Sequence, residues 1–396
     1  MLDDALYLDH SATTPPHPEV IEAMRAAMTL SWGNPSSLHG WGERAALAME
    51  TARWQVADLL GANPEDIIFT SGGTESNTMA LRGIARLYPQ PQHMVISAVE
   101  HSSISKTADD LAALGWQISR IPVTTEGHVT LDALAGSLQA NTVLVSVIHG
   151  QNEIGTVQPI QELAAFCHER GIRFHSDAVQ TVGKLPICLD QSSIDLLSLS
   201  GHKFYGPQGI GALYISPRLR AGLHPLLLGG GQENGLRSGT QPLPGIVGLG
   251  QAAVLARRDL SLELARLRQL QAQLHQALQK FPALIGVGSQ DLSQRLPHHL
   301  SYCVRRHSGR SVVQHLSHLG LAISAGSACH QGRTTASQTL LALGIPAELA
   351  QGGIRLSLGR STTTESLERV VAALTELLGA PQPLSLGYAF DILPGL

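Results

Sequence analysis

Asp177-Ala178-Val179-Gln180 and Ser200-Gly201-His202-Lys203 are the two most informative stretches of this sequence. Each comes directly after a short apolar run, residues 172–175 in the first case and 195–199 in the second. The aspartate and the lysine are 26 residues apart, which is about the length of one strand–helix–strand crossover. The spacing predicts parallel strands whose carboxyl ends bring the acid and the amine to one edge of a sheet, where open α/β folds bind ligands.

An acid and a lysine at such an edge predict a pyridoxal phosphate site. A lysine forms a Schiff base with the aldehyde of this cofactor, and an acid holds a proton on its pyridine nitrogen. Ser71-Gly72-Gly73-Thr74-Glu75-Ser76-Asn77, at the start of a predicted helix, offers a cup for the phosphate. Glycines let the backbone approach an anion, and the first turn of a helix has free N–H groups. Alone, this stretch could equally be a tight turn.

Seven β-rich runs alternate with helical segments along the first part of the chain. The candidate strands are residues 67–70, 94–98, 117–122, 142–148, 172–176, 195–199 and 210–215. This alternation predicts an α/β protein with a seven-stranded, mostly parallel sheet and helices on both faces.

Beyond about Pro244 the pattern changes, which indicates a second domain. Leucines recur at helical spacing across residues 256–280, as is typical of an amphipathic helix that joins two domains; a coiled coil would need more heptads. The remainder mixes short strands and helices. We predict a large domain at 15–255 and a smaller α+β domain that combines residues 1–14 with 256–396.

Composition and charge exclude several functional classes. The 396 residues are 43% hydrophobic and 15% charged, which is typical of a well-packed α/β protein. A net charge of −4 leaves no basic footprint for nucleic acid or anionic lipid. No apolar run has transmembrane length, and the start, Met1-Leu2-Asp3-Asp4, is unlike a secretory signal, so we expect a cytoplasmic protein that does not bind membranes.

The four cysteines include no pair with C-x-x-C spacing, so neither a zinc site nor a thioredoxin-like redox pair is predicted. Cys167, Cys188 and Cys303 lie in apolar segments and are expected to be buried, unreactive thiols. Cys329 differs, because its neighbours in residues 324–332 are mostly small or polar. Such a segment suits a nucleophile that has to move.

Three further polar residues are placed near the predicted edge. His101 follows a predicted strand and could stack on a pyridine ring and move protons, although a structural loop histidine is the alternative. Asn152 also follows a strand, and its amide could hold a ring oxygen or a substrate carboxylate. Gln180 lies one helical turn past Asp177 and could donate to the ring's phenolate oxygen.

Several motifs in fixed order resemble those of cysteine desulfurases, in the NifS and IscS branch of the class V aminotransferase family. The resemblance covers nearly the whole chain, through residues 7–15, 33–37, 70–77, 100–101, 152–155, 177–180, 200–211, 229–240, 324–329 and 355–359. It implies a type I pyridoxal-phosphate transferase fold and a homodimer.

The same resemblance implies a role for each cofactor-binding residue. Lys203 would form the Schiff base and later move the substrate's α-proton, while Asp177 would pair with the pyridine nitrogen and Gln180 with the ring oxygen. His101 would cover the ring. The residues implied to bind the phosphate are Gly73, Thr74, Ser200, His202 and, from a neighbouring subunit, Thr240.

On the substrate side, Arg355 and Asn152 would hold a carboxylate, a task that suits a guanidinium. The implied reaction converts L-cysteine to L-alanine and leaves the sulfur on Cys329 as a persulfide, for iron–sulfur clusters or other thio-cofactors. The implied partner is a sulfur acceptor or an iron–sulfur scaffold protein. No metal site is predicted, and the sequence leaves open a contact between Cys329 and an iron–sulfur cluster.

Two other functions fit the sequence. A selenocysteine or cystine lyase on the same scaffold would not need a mobile thiol. A sulfur carrier or assembly protein would have lost turnover, which the filled catalytic positions argue against.

Three departures from the family pattern stand out. Ala336 occupies a position where a proline is common, seven residues after Cys329. The segment His149-Gly150-Gln151 replaces a more usual valine–asparagine pair. The apolar tail at residues 381–396 does not resemble the ending associated with sulfur delivery to the iron–sulfur scaffold, so the acceptor is not identified.

Overall fold

The computed structural model describes residues 6–220, 222–325 and 336–382. The strands are β1 (Leu6–Tyr7), β2 (Ile67–Thr70), β3 (His93–Ser97), β4 (Gln117–Ile121), β5 (Thr142–Ser146), β6 (Arg173–Asp177), β7 (Leu196–Ser200), β8 (Gly211–Ile215), β9 (Leu284–Gly286), β10 (His299–Val304), β11 (Leu321–Ala322), β12 (Ser324–Ala325) and β13 (Gly353–Ser357). The α-helices are α1 (Pro18–Leu30), α2 (Gly40–Leu60), α3 (Gly73–Ala85), α4 (Ser102–Ala113), α5 (Leu131–Ser137), α6 (Ile160–His168), α7 (Pro217–Arg220), α8 (Leu243–Leu278), α9 (Gly309–His318), α10 (Gln338–Ala342), α11 (Ala347–Ala350) and α12 (Thr364–Leu378). Short 3₁₀ turns lie at Pro64–Asp66, Gly201–Lys203, Glu233–Gly235 and Leu292–Gln294.

The large sheet has seven strands in the order β2-β8-β7-β6-β5-β3-β4. The strands from β7 to β4 pair in parallel, and β8 runs antiparallel to both of its neighbours. The predicted fold class is confirmed, and each strand begins and ends within about two residues of its predicted run.

Alternate residues along each strand face opposite layers of the core. In β2, Ile67 and Phe69 belong to one apolar cluster and Ile68 to the other. The first cluster includes side chains from α1, α2, α6 and α8, and the second includes side chains from α3 and α4. Strands that are buried on both faces appear in a sequence as continuous apolar runs, which is why these could be predicted.

The carboxyl ends of the parallel strands form one polar edge. β6 ends at Asp177, and β7 ends at Ser200, directly before the 3₁₀ turn that contains Lys203. These two strands are parallel neighbours, as predicted. The connection between them contains turns, however, and not the predicted helix. Gly183, with a φ of 73°, and Pro186 interrupt it, and neither suits a helix interior.

Helix α8 is longer than predicted. Apolar periodicity indicates a start near residue 256, whereas the helix begins at Leu243. Glycines in its first turns hide the pattern, and two of them lie where α1 and α2 pack closely against α8. A Cβ added at Gly250 would lie 2.7 Å from the Cα of Ala52 in α2.

A second, four-stranded sheet has the order β12-β13-β10-β9. The apolar cluster around it includes side chains from α9, α12 and the second half of α8, together with Leu6 and Leu8 from the N-terminal segment. β1 reaches this region by pairing in parallel with β11. The predicted boundary at residue 255 falls inside α8, which contributes side chains to this cluster and to that of the large sheet.

The cysteines differ from one another in exposure. Cys167 and Cys303 are buried, as predicted, and burial raises the pKa of each thiol to about 12. The prediction for Cys188 is wrong, because this residue is exposed in a surface groove near Gly61. Its apolar neighbours lie in an irregular surface segment, where Leu189 is buried and Cys188 points outward.

Cys329 and the apolar tail beyond residue 382 lie outside the described residues. Among the residues that are described, we find no helix with the length and hydropathy needed to cross a membrane. The cytoplasmic location stays a prediction. Within the same ranges, no group of three or more His, Cys, Asp or Glu side chains is arranged to hold a metal ion.

Candidate active site

A cleft of about 310 Å³ opens at the polar edge of the large sheet. Of the residues predicted for the site, those that line it are Gly73, Thr74, His101, Asn152, Asp177, Gln180, Ser200, His202, Lys203 and Arg355. Thr240 does not line the cleft and is exposed. Cys329 lies outside the described residues.

Lys203 enters the cleft from the 3₁₀ turn that follows β7. Its Nζ donates to the backbone carbonyls of Ser11 and Ala12, each at 2.7 Å. Burial, followed by the positive charge of Arg355, lowers the pKa of this amine to about 8, while the charges of Asp177 and Asp9 oppose the shift. A useful fraction of the amine is therefore neutral, and nucleophilic, near neutral pH.

Asp177 is buried at the end of β6, in the same cleft. Its Oδ2 accepts from Asn77 Nδ2 at 2.7 Å, and its Oδ1 accepts from the backbone N–H of Val179 at 3.0 Å. The two donors hold the carboxylate in one orientation. Asp177 and Lys203 line the same cleft, so the acid and the amine can act on one ligand.

A polar network joins Asp177 to His101. Asn77 Nδ2 also donates to Ser103 Oγ at 2.8 Å, and this oxygen lies 2.8 Å from His101 Nδ1. The backbone N–H of Ser103 donates to the same Nδ1, so Nδ1 acts as an acceptor and the ring proton belongs on Nε2. Sequence reasoning missed Asn77 and Ser103 as site residues. The signal was there for Asn77, one helical turn after Thr74 on the same helix face.

The start of α3 forms an anion cup. Gly72, with a φ of 147°, precedes the helix and provides no side-chain cap, so the first N–H groups are free for a ligand. Glycine is also required at residue 73, because a Cβ there would lie 2.6 Å from Val179 Cγ2. The side chains of Thr74 and Ser200 line the cleft beside this turn.

His202 lines the cleft on the same side. Its Nδ1 lies 3.1 Å from Thr13 Oγ1. Burial, followed by the charges of Lys203 and Lys184, lowers the pKa of the ring to about 4. The histidine is therefore neutral at physiological pH and can offer a phosphate one N–H donor.

Arg355 and Asn152 face the cleft from the side of the smaller sheet. Arg355 Nη1 donates to the carbonyl of Asn152 at 2.8 Å, and Nη2 donates to Asp9 Oδ1 at 2.7 Å. Within the described ranges, Arg355 Nε and Asn152 Oδ1 are buried without a hydrogen-bond partner. The unpaired Nε–H of the guanidinium suits a carboxylate ligand. The unpaired oxygen of Asn152 is an acceptor, so it is the Nδ2 of this amide that could donate to the carboxylate. Sequence reasoning did not identify Asp9 as the ion-pair partner.

Gln180 and Lys203 donate to the same backbone carbonyl, that of Ser11. Gln180 Nε2 donates to this carbonyl at 2.8 Å. Its Oε1 accepts from Lys184 Nζ at 3.4 Å, which orients the amide. Lys184 is buried, and burial lowers its pKa well below the usual value for a lysine. The sequence offered one signal for it, a lysine inside the apolar run Val182-Gly183-Lys184-Leu185.

Glu100, directly before His101, is a second buried acid near Asp177. Its Oε1 accepts from Ser97 Oγ at 2.6 Å and from the backbone N–H of Ile148 at 2.7 Å. Burial raises the pKa of Glu100 to about 8; these hydrogen bonds oppose the rise, and the charge of Asp177 adds to it. Glu100 is therefore mostly protonated at neutral pH.

Glu100 predicts how the stability of the chain depends on pH. Between about pH 4.5 and pH 8, Glu100 is protonated in the folded protein and ionised in the unfolded protein. The free energy of unfolding therefore falls as the pH rises through this range. Glu100→Gln cannot ionise, and we expect it to raise the free energy of unfolding at pH 8 by a few kcal/mol. Denaturant unfolding of both proteins at pH 5 and pH 8 measures the effect. The buried histidines titrate in both proteins, so only the difference between the wild type and Glu100→Gln reports on Glu100. If the free energies of unfolding of the two proteins changed with pH in parallel, the prediction would be contradicted.

The lining residues together fit one kind of ligand. The cleft contains the partly neutral amine of Lys203, the fixed carboxylate of Asp177, the anion cup and the Nε2–H of His101. This set suits an aromatic aldehyde that has a basic ring nitrogen and a phosphate. Within the described residues, the unpaired Nε of Arg355 leaves a donor for a second ligand, which carries a carboxylate. The cleft can therefore hold a cofactor and an amino acid side by side.

Comparison with known proteins gives consistent matches over most of the chain. The family model described as "Aminotransferase class-V" matches residues 6–370. The chain is 42% identical over 374 residues to the cysteine desulfurase IscS of Dictyoglomus turgidum, and the match covers 94% of each protein. It is 40% identical over 381 residues to a cysteine desulfurase of a Nostoc species, covering 96% of this chain and 94% of the relative.

Solved structures agree with these matches. A NifS-like protein superposes with a TM-score of 0.88 at 34% identity, covering 94% of this chain and 99% of its own. SspA, solved in complex with cysteine, superposes with a TM-score of 0.77 at 35% identity, covering 89% of this chain and 98% of its own.

Proposed function

The chain belongs to the class V aminotransferase family, and from that membership we propose that it is a pyridoxal-phosphate-dependent cysteine desulfurase. The curated relatives, at 40–42% identity, carry that name. The observation that carries the proposal is the shared cleft, which brings the Lys203 amine and the Asp177 carboxylate together beside Arg355. The reaction is the conversion of L-cysteine to L-alanine with transfer of sulfur to Cys329.

Pyridoxal phosphate fits the residues of the cleft. Asp177 would bind the pyridine nitrogen, Lys203 the aldehyde carbon, and Gln180 the phenolate oxygen. Gly73, Thr74, Ser200 and His202 would hold the phosphate at the start of α3, and His101 would cover the ring. When bound, the cofactor supplies an electron sink for the electrons of the substrate's Cα–H bond.

The chain's own groups then handle the substrate. Arg355 and Asn152 orient L-cysteine through its carboxylate. Lys203, with its lowered pKa, takes the α-proton as a base and later returns a proton as an acid. Asp177, held by Asn77 and Val179, keeps a compensating negative charge at the far end of the site.

Cys329 takes the sulfur. Its thiolate attacks the sulfur of L-cysteine, an S–S bond forms as the C–S bond breaks, and the carbon gains a proton to give alanine. The sulfurs are oxidised to the persulfide level while the carbon is reduced, so no external electron carrier is needed. The chain approaches Cys329 from β12, where Ser324 pairs with Arg355. The thiol is therefore tethered five residues from the strand position of the substrate-binding arginine.

A homodimer is part of the proposal. Large apolar side chains are exposed on α1, α2 and the loop between them, and a patch of this kind commonly binds another protein. They are Ile21, Met28, Leu30, Trp32, Leu38, Trp41, Leu47 and Trp54. We place a second copy of the chain against this surface, from which Thr240 would reach the phosphate. Sedimentation equilibrium measures the assembly.

The final acceptor of the sulfur would be a partner protein that takes part in the synthesis of iron–sulfur clusters or other thio-cofactors.

Mass spectrometry of the enzyme loaded with pyridoxal phosphate (the loaded enzyme), after addition of L-cysteine, tests the function. We expect one added sulfur on the peptide that contains Cys329, together with one alanine per persulfide formed. Cys329→Ser should lack the added sulfur and stop releasing alanine. Alanine release by Cys329→Ser at the wild-type rate would favour a selenocysteine or cystine lyase. Wild-type protein that releases no alanine would instead favour a sulfur carrier without turnover.

A further inference from the structure

Gln151, from the first of two departures noted in the sequence, contacts Thr339, three residues after the second departure, Ala336. Ser337, the N-cap of α10, accepts from the backbone N–H of Leu340 at 3.2 Å. Its Oγ also donates to Glu153 Oε2 at 2.6 Å. Thr339 Oγ1, on the first turn of α10, donates to Glu153 Oε1 at 3.1 Å. Both carboxylate oxygens of one half-buried acid are therefore bonded to the start of α10.

Gln151 adds a second arm to this contact. Its Nε2 donates to Thr339 Oγ1 at 3.1 Å and to the carbonyl of Val99 at 3.2 Å. Its Oε1 accepts from the backbone N–H of Ile154 at 2.9 Å, which holds the turn closed. Glycine at 150 permits the arrangement, since a Cβ there would lie 2.7 Å from Thr181 Cγ2.

The same turn forms part of the substrate side of the cleft. Asn152 lies between Gln151 and Glu153, and its carbonyl accepts from Arg355 Nη1. Ser337, at the start of α10, is eight residues after Cys329 in the sequence. A chain of that length spans at most about 28 Å, so the position of α10 bounds where the thiol can go.

We propose that Gln151 and Glu153 are positioning residues, which fix the start of α10 relative to the cleft and thereby set the reach of Cys329. The inference rests on the proposed desulfurase reaction. It assigns the contact to the transfer of sulfur, and not to the binding of pyridoxal phosphate or L-cysteine. The two side chains take the place of the backbone restraint that a proline at 336 would supply.

Thr339 offers a matched pair of variants for the test. Thr339→Val keeps the shape of the side chain but removes the hydroxyl that both Gln151 and Glu153 contact, whereas Thr339→Ser keeps the hydroxyl. The loaded enzyme is assayed in two ways. Rapid quenching and mass spectrometry give the rate of persulfide formation on Cys329. Proton NMR in D₂O gives the exchange of the α-proton of L-alanine, which needs the cleft but not the thiol.

We expect Thr339→Val to slow persulfide formation by roughly ten- to a hundredfold, the usual cost of misplacing a reacting group. Alanine exchange should stay at the wild-type rate in Thr339→Val, and Thr339→Ser should show the wild-type rate in both assays. Ser337→Ala should behave like Thr339→Val. Its control is Ser308→Ala, which removes the N-cap of α9, where the serine bonds to Ser311.

Two outcomes overturn the inference. One is an unchanged rate of persulfide formation in both Thr339→Val and Ser337→Ala. The other is an equal loss of persulfide formation and alanine exchange, which would mean that the contact merely supports the cleft. A wild-type enzyme that exchanges the α-proton of alanine but forms no persulfide would refute the proposed function itself, and the inference with it.

Discussion

Lys203→Ala should lower the release of alanine from L-cysteine by roughly 10³-fold or more, because it removes both the nucleophile that binds the cofactor and the base that moves the α-proton. The visible absorption band of bound pyridoxal phosphate should disappear in the same variant. Alanine release per active site and the absorption spectrum after addition of pyridoxal phosphate are the two measurements.

The environment of Lys203 distinguishes its amine from that of an exposed lysine. Its pKa of about 8 gives a neutral fraction that an exposed lysine lacks at the same pH. Lys106, which is exposed and only loosely paired with Asp109, provides the matched control, and Lys106→Ala should keep both the band and the turnover. If Lys203→Ala kept the band, the cofactor would have to be bound by another amine, for which buried Lys184 would be the first candidate.

Asp177→Asn should reduce alanine release by roughly 10²- to 10³-fold, because a neutral amide cannot hold a proton on the pyridine nitrogen and the electron sink weakens. The variant should still bind pyridoxal phosphate, since Lys203 and the anion cup are unchanged. The rate of α-proton exchange in L-alanine measures the loss directly, without involving Cys329.

Asp195→Asn is the control for this substitution. Asp195 is also a buried acid of the large sheet, and its Oδ2 accepts from the backbone N–H of Phe174 at 2.9 Å. It precedes β7, at the opposite edge from the cleft, and pairs with Arg218. Asp195→Asn should lower stability and leave exchange per folded molecule unchanged. Equal exchange rates in Asp177→Asn and the wild type would remove Asp177 from the proposed chemistry.

The sequence was sufficient to predict the large sheet and the edge where the cleft lies. Most strands covered on both faces are rich in apolar residues, and the parallel topology of β3 to β7 then places their carboxyl ends on one side of the sheet. The positions of Asp177 and Lys203 follow from those two facts. The residues that orient them do not, because Asn77 contacts Asp177 across 100 residues of sequence.

Other features depend on contacts that leave no local pattern. Asp9 pairs with Arg355 across 346 residues, which no periodicity reveals. The early start of α8 was hidden because two of its glycines, Gly248 and Gly250, reflect the close packing of α1 and α2, which is a tertiary demand. Cys188 was misjudged because the apolar composition of a segment does not tell which of its side chains face outward.

The pair of backbone carbonyls that receives the Lys203 amine has a consequence for cofactor loading. Ser11 and Ala12 hold a long, otherwise free side chain in a single arrangement before any ligand arrives. The lysine side chain therefore loses its conformational entropy when the protein folds. Binding of the aldehyde then costs less conformational entropy than it would with a freely rotating side chain. The amino-terminal segment acts in this way as an internal splint for a residue encoded nearly two hundred positions later.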